Sequence, residues 1–224
     1  MKDKLGDKIK KFEFYKNCKI KPNVYFAIRL DGRNFSTLAK EMKYKQPYDD
    51  EFKKIMIAVA KGLMKEFSAK LVYIQSDEIS LMFDKNLDLF DRRVEKLVST
   101  TASYAGCKFS QEAQLKDVIM FDSRVVVLLT MKHVLDYLQW RNIDAVRNAL
   151  NSWCYWTLRK KGKSKKQAEF ELKGKKKEYK NKLLLDYEIN FDEIPMWQIR
   201  GILLSWEKYT KQGFNPVTNK KEGD

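Results

Sequence analysis

Apolar residues recur along this chain with two periods. Val24, Phe26, Ile28 and Leu30 alternate within residues 23–30, the period of a strand, and Asp31-Gly32 is the signal that stops it. Between Asp49 and Phe67, the residues Phe52, Ile55, Val59, Leu63 and Phe67 fall three or four apart, which predicts a helix. Residues 70–76 and 78–83 predict two strands joined tightly around Asp77; 90–108 predict another helix and 118–129 another strand. Leu5, Ile9 and Phe12 predict a short amphipathic helix over residues 3–17. Leu135, Leu138, Val146, Leu150, Trp153 and Leu158 suit one long helix or two over 133–160. Ser164 and Gln167 have the spacing of a capping box for a further helix.

The order β-α-β-β-α-β predicts an α+β fold of the ferredoxin-like, split βαβ kind, the arrangement of polymerase and cyclase palms, with additional C-terminal helices. Residues 1–130 would form the palm-like core with its N-terminal helix. Residues 131–224 would form a helical, Lys-rich part packed on the core and contacting RNA. In this topology the first and third strands are antiparallel neighbours. Asp31 ends the first and Asp77 begins the third, so strand order alone brings two distant carboxylates to one sheet edge.

Charge narrows the partners. The 224 residues carry 45 basic and 30 acidic side chains, a net charge of +15, which favours a polyanion because each neutralised phosphate releases counterions. From Arg159 to Lys182 the chain holds 12 basic and 3 acidic residues. A solvated helix face usually mixes signs, so this stretch points to a nucleic-acid backbone, with Lys163, Lys165, Lys166, Lys173, Lys175 and Lys176 as the expected contacts. Trp153, Tyr155 and Trp156 precede it; such rings stack on bases or fill a core. His133 is the only histidine, which excludes zinc sites built on several His. Cys18, Cys107 and Cys154 form no CxxC pair and read as free thiols in a reducing compartment. No apolar run approaches a membrane span, and MKDKLGDKIKKFEF lacks the apolar core of a secretory signal. The expectation is a cytoplasmic, soluble protein.

Two carboxylates forced together repel unless a cation lies between them. Mg²⁺ suits them, since it takes oxygen ligands and is commonly held by one or two carboxylates plus substrate phosphates. Asp31-Gly32 with flanking Arg29 and Arg33, and Ser76-Asp77-Glu78, are therefore candidate metal and phosphate motifs, although each alone also suits a plain turn. On a helix, Arg92 or Arg93 with Lys96 would share a face and clamp a triphosphate. Lys45 and Arg124 are weaker candidates of the same kind.

RLDGRNF (29–35), PYDDEF (47–52), QSDEISLMF (75–83), DRRVEK (91–96), FDSRVV (121–126), YLQWRNIDAVRNALNSWCYWTLRKKG (137–162) and IPMWQIRGI (194–202) together resemble the tRNA-His guanylyltransferase superfamily. Where the eukaryotic-type enzymes carry HINNLYN, this chain reads Val146-Arg147-Asn148-Ala149-Leu150-Asn151. It is thus more similar to the guanylyltransferase-like branch, whose members resemble 3′-to-5′ polymerases that repair truncated tRNAs. The resemblance implies that Asp31, the Gly32 carbonyl and Asp77 ligate two Mg²⁺ ions, supported by Glu78 in the catalytic cluster. It implies that Asp31, Gly32, Arg33, Asn34, Phe35, Ser36, Ser76 and Asp77 seat the nucleotide, and that Arg93 and Lys96 grip its triphosphate. ATP and GTP would be substrates, tRNA the acceptor, and the assembly a homo-tetramer, a dimer of dimers.

The expected reaction is template-dependent, metal-dependent addition of nucleotides to the 5′ end of tRNA or tRNA-like RNA. A tRNA-His-specific guanylyltransferase, a nucleotide cyclase and an RNA-binding protein without catalysis are the alternatives.

Overall fold

The computed structural model describes residues 4–208, 212–215 and 220–223. Asp3, the predicted start of the first helix, lies outside the described residues, as do Met1, the start of the first predicted part, and Asp224, the end of the second.

Strand β1 (Tyr25–Gly32) is followed by helices α2 (Phe35–Glu41) and α3 (Asp50–Glu66), after a short α1 (Lys4–Ile9). Strands β2 (Leu71–Gln75) and β3 (Glu78–Phe83), helix α4 (Val94–Glu112) and β4 (Phe121–Leu128) complete the predicted order. Helices α5 (Met131–Lys160), α6 (Lys165–Leu172), α7 (Lys177–Asp186) and α8 (Met196–Arg200) follow, and then β5 (Ile202–Ser205). The sheet order is β4-β1-β3-β2-β5, with β1 antiparallel to both β3 and β4. The first four strands have the ferredoxin-like order. β5 pairs with β2, so the C-terminal part of the chain supplies a strand to the palm.

Both sheet faces are covered. Phe26, Ile28 and Leu30 pack with Val72, Ile74, Ile79 and Leu81 against Val59 and Leu63 of α3 and Leu97 and Phe109 of α4. The opposite face buries Ala27, Met82 and Leu128 beneath Tyr137 of α5. That is why β1 is apolar at Ala27 as well as at the alternating positions. A further core joins α5, α6 and α7 around Leu150, Cys154, Leu158, Leu172 and Leu184.

Local chemistry sets the helix ends near the site. The Asp49 carboxylate accepts from the amides of Glu51 (2.7 Å) and Phe52 (3.1 Å), capping α3, and from the amide of Lys45 at 2.8 Å. The cap thus ties the preceding loop to the helix. Ser164 and Gln167 form the predicted capping box of α6.

Three expectations change. β1 takes in Asp31 and Gly32 as its last two paired residues instead of stopping before them. The predicted N-terminal helix stops at Ile9 and tightens into a 3₁₀ turn, leaving Leu5, Ile9 and Phe12 exposed. The helix predicted from residue 90 starts at Val94, because Phe90, Asp91 and Arg92 all have positive φ, outside the helical region.

Candidate functional site

Asp31 and Asp77 meet at one end of the sheet. Asp31 lies opposite Glu78 in the β1–β3 register, and the Gly32 amide donates to the Asp77 carbonyl at 3.2 Å. Asp77 occupies the two-residue turn between β2 and β3, entered through Ser76 at φ 53°. Burial first, then repulsion by Asp31, pushes the Asp77 carboxyl up to about 6. Nearby cations are engaged elsewhere: Arg29 and Arg141 pair with Glu78, and Arg124 pairs with Asp122. Among the described residues neither Asp31 nor Asp77 has an ion pair. The pair therefore has the charge to hold a divalent cation. Among the described residues no group of three or more acidic, His or Cys side chains is placed to hold a metal ion by itself, so backbone, water or substrate would complete the shell, which fits Mg²⁺.

Glu78 differs from its two acidic neighbours. Arg141 of α5 donates to both its oxygens, from Nε at 2.8 Å and from Nη2 at 2.7 Å, and Nη2 also reaches Asp144 at 3.0 Å. Arg29 stands 3.9 Å from Glu78, and Trp140 lies against both guanidinium groups, 5.4 Å from Arg29 and 4.5 Å from Arg141. Burial outweighs the attraction of Arg141 and raises the Glu78 carboxyl above its usual range. A bidentate Arg–carboxylate pair fixes orientation as well as charge. Glu78 thus anchors α5 to the sheet beside the two aspartates.

A cavity of about 510 Å³ opens next to Asp77. Ser36, Ser76 and Asp77 line it, together with Lys40, Lys45, Tyr48, Lys53, Tyr155, Trp156, Arg159, Lys165 and Trp197. Tyr48 and Trp197 meet edge-on at 5.8 Å, and the Lys53 ammonium lies 4.4 Å over the Trp197 ring. Burial pushes the Tyr48 hydroxyl up to about 12. Five cationic side chains and several rings around one acidic corner suit a nucleoside triphosphate, with phosphates toward the lysines and a base against an aromatic face.

The predicted residues divide. Asp31, Gly32, Ser36, Ser76 and Asp77 come together at or beside the cavity. Gly32 is required by its neighbour: a Cβ there would stand 2.3 Å from the Phe35 ring. Phe35 is mainly a core residue, packed edge-on against Phe109 (5.0 Å) and Phe121 (5.1 Å), although it also lines the cavity. Arg33 and Asn34 are exposed; Asn34 takes the left-handed conformation (φ 61°) that opens α2.

Arg92, Arg93 and Lys96 lie elsewhere within the chain. Arg92 is buried, donating to the carbonyls of Ile20, Val24, Lys85 and Leu87, with its guanidinium 5.0 Å over Phe26. This structural role ends the idea that it clamps phosphate with Lys96. The contact to Val24 puts the start of α4 at the opposite end of β1 from Asp31. At ~3.3 Å per strand residue, roughly 20 Å separates the two ends.

In the basic stretch Lys163 pairs with Glu171, Lys165 stands 3.8 Å from Glu169, and Lys175 lies 4.7 Å over Tyr179. Lys166, Lys173 and Lys176 are exposed. Sequence reasoning missed Lys53, Tyr48 and Trp197. Tyr48 and Trp197 stand within PYDDEF and IPMWQIRGI, but nothing local marks them as cavity walls.

A palm sheet with two unpaired acids at adjacent strand ends, beside a basic and aromatic cavity, belongs to a nucleotidyltransferase. The chain belongs to the tRNA-His guanylyltransferase family: the model described as tRNAHis guanylyltransferase matches residues 6–129, and that of the Thg1 C terminal domain matches 132–224. It is 32% identical over 220 residues to the tRNA(His) guanylyltransferase of Debaryomyces hansenii, covering 91% of this chain and 83% of that one. It is 31% identical over 212 residues to a probable tRNA(His) guanylyltransferase of Mus musculus, covering 88% and 71%.

Among solved structures, the tRNA(His) guanylyltransferase of Saccharomyces cerevisiae superposes with a TM-score of 0.79 at 28% identity, over 88% of this chain and 91% of that one. A bacterial guanylyltransferase-like protein in complex with GTP gives 0.69 at 25%, over 99% and 90%; its complex with ATP gives 0.73 at 26%, over 98% and 91%. Similarity thus extends to both branches, which brings the tRNA(His) alternative forward. Among the described residues no helix is long and apolar enough to cross a membrane.

Proposed function

We propose that this nucleotidyltransferase adds guanylate to the 5′ end of tRNA(His), using ATP or GTP to activate a 5′-monophosphorylated acceptor. The carrying observation is the Asp31–Asp77 pair, which has no ion pair among the described residues and stands beside a cavity lined by cations. Asp31 and Asp77 would hold two Mg²⁺ ions, with the Gly32 carbonyl as the third ligand that the family resemblance implies. When bound, such ions neutralise phosphate charge and lower the pKa of an attacking hydroxyl.

The residues of the chain supply the rest. Lys45, Lys53, Arg159 and Lys165 receive the triphosphate, and Tyr155, Trp156 and Trp197 offer faces to a base. In the first step the RNA 5′ phosphate attacks the α-phosphate of ATP, pyrophosphate leaves, and a 5′–5′ capped RNA forms. In the second, the 3′-hydroxyl of GTP attacks the capped 5′ phosphate and AMP leaves. With GTP as activator, GMP leaves instead. An RNA that already bears a 5′ triphosphate skips the first step and releases pyrophosphate in the second. No protein nucleophile is required, in keeping with the single histidine. The working form would be a dimer of dimers, in which exposed Leu5, Ile9 and Phe12 have apolar surface to bury.

A second reading, 3′-to-5′ extension of truncated tRNAs, is favoured by Val146-Arg147-Asn148-Ala149-Leu150-Asn151 in place of HINNLYN and by the similarity to guanylyltransferase-like proteins. One experiment separates them: 5′-monophosphorylated tRNA(His) and 5′-truncated tRNAs are incubated with all four nucleotides, and the new 5′ ends are sequenced. Single guanylate addition confined to tRNA(His) supports the first reading. Templated extension of every truncated tRNA supports the second. A cyclic product from nucleotide alone, or no product at all, overturns both.

A further inference from the structure

The cavity beside Asp77 does not end at α5. Tyr155 lines it and also lines a second hollow, shared with Phe170 and Lys173. Phe170 and Lys173 in turn line a third hollow of about 630 Å³, whose far wall includes Lys175 and Tyr179. Three hollows thus share walls in succession, leading from the acidic corner onto the most basic stretch of the chain.

Phe170 is 82% exposed, on a helix that buries Ala168 and Leu172. It adds nothing to the core, and an isolated large ring on a lysine-covered surface suits base stacking. Tyr179 is also exposed, with the Lys175 ammonium over its ring. Paired bases in an RNA helix are covered by their neighbours, so only unpaired nucleotides present faces to such rings. Twelve basic against three acidic residues from Arg159 to Lys182 favour a polyanion over a second copy of a chain whose own net charge is +15.

The geometry points to a single-strand track: the unpaired 3′ overhang of the acceptor runs along Tyr155, Phe170 and Tyr179, with its bases on these rings and its phosphates on Lys173 and Lys175. This rests on the proposed 5′-end activity. In an acceptor arm the overhang begins opposite the 5′ end, so a stem seated at Asp31 and Asp77 presents it to Tyr155 first.

The test uses two RNA hairpins with the same stem and 5′ phosphate, one blunt and one with a short 3′ overhang containing 2-aminopurine. Both are titrated against the full chain. The overhang hairpin should bind more tightly, with its fluorescence quenched by stacking. Phe170→Ala should weaken that hairpin about tenfold, leave the blunt one unchanged and keep the salt dependence. Replacing Lys173 and Lys175 together by Ala should instead reduce the salt slope by about one to two. Phe170→Trp should preserve the quenching.

Equal affinity for both hairpins with no quenching overturns the track. So does a Phe170→Ala effect confined to the sedimentation of the RNA-free protein, which would assign the ring to self-association. Nucleotide addition is followed on both hairpins in parallel. Addition without an overhang effect leaves the activity standing and removes the track. Stacking without addition supports the track, and the activity is then read on full-length tRNA(His), where absence of addition removes it.

Discussion

The Gly32 amide donates to the Asp77 carbonyl across 3.2 Å, joining the end of β1 to the turn before β3. This bond locks together the two backbone segments that carry the acids, so their carboxylates repel at a separation the fold imposes. An uncompensated pair costs stability until a cation arrives. Asp77 carries that cost on top of its burial: burial first, then repulsion by Asp31, pushes its carboxyl up to about 6 from a normal 3.8.

The first prediction follows from that shift. Between about 4 and 6 the folded state binds more protons at Asp77 than the unfolded state does, so stability falls as pH rises through this window and stays lower above it. The penalty is roughly 2–3 kcal/mol. Without divalent cations, Asp77→Asn should therefore melt roughly 5 °C above the wild type near pH 7.5, and the gap should close near pH 4. Mg²⁺ with nucleotide should raise the wild-type midpoint and leave the variant unmoved, while nucleotide addition by the variant drops by more than about a hundredfold. Calorimetry across pH, paired with an addition assay, checks both.

Removing Arg141 leaves Glu78 charged in a partly buried place with only Arg29, 3.9 Å away, to balance it. Arg141→Met should destabilise the protein by about 3 kcal/mol, read as a lower urea midpoint. Lysine cannot restore the two parallel bonds, so Arg141→Lys should recover only part. Combining Arg141→Met with Glu78→Gln should be less damaging than the sum of the single changes. A strictly additive result would mean the pair does not hold α5 to the sheet.

Gly32 faces the Phe35 ring too closely for any side chain. Gly32→Ala should cost about 1–3 kcal/mol by overpacking, with a loss of nucleotide addition as β1 shifts. Adding Phe35→Leu removes the blocking ring edge and should return part of the stability. Failure of the second change to help, measured by thermal unfolding, would place the strain elsewhere.

Lys45 reaches the cavity on a loop held by the Asp49 cap. Lys45→Ala should raise the KM for nucleotide about tenfold, the worth of one charge-assisted bond, with RNA affinity within about twofold of wild type by the same scale. Asp49→Ala should act on the same KM through the loop, and should also lower the melting temperature because it uncaps α3.

Much of the molecule is legible in its sequence. The helical period from Phe52 to Phe67 and the alternation from Val24 to Leu30 report which side chains must leave water, and that demand alone selects helix or strand. Strand order then placed Asp31 beside Asp77, because the split βαβ topology leaves the first and third strands adjacent. Arg92 was misread because its charge resembles that of Arg93. Only the chain around it shows four carbonyls waiting for its guanidinium. Phe35 was read with the phosphate motif next to it, whereas its ring completes a cluster with Phe52, Phe109 and Phe121 from three distant segments.

The sequence by itself determined the strand and helix periods, the approach of the Asp31 and Asp77 segments and the concentration of positive charge after α5, since each depends on neighbours along the chain or on strand order. Tertiary structure alone decided that Glu78 belongs to Arg141, that β5 returns to the palm, and that Lys53, Tyr48 and Trp197 wall the cavity. Those outcomes depend on which surfaces meet when α5 crosses the sheet, and packing between segments far apart in sequence leaves no periodic trace along the chain.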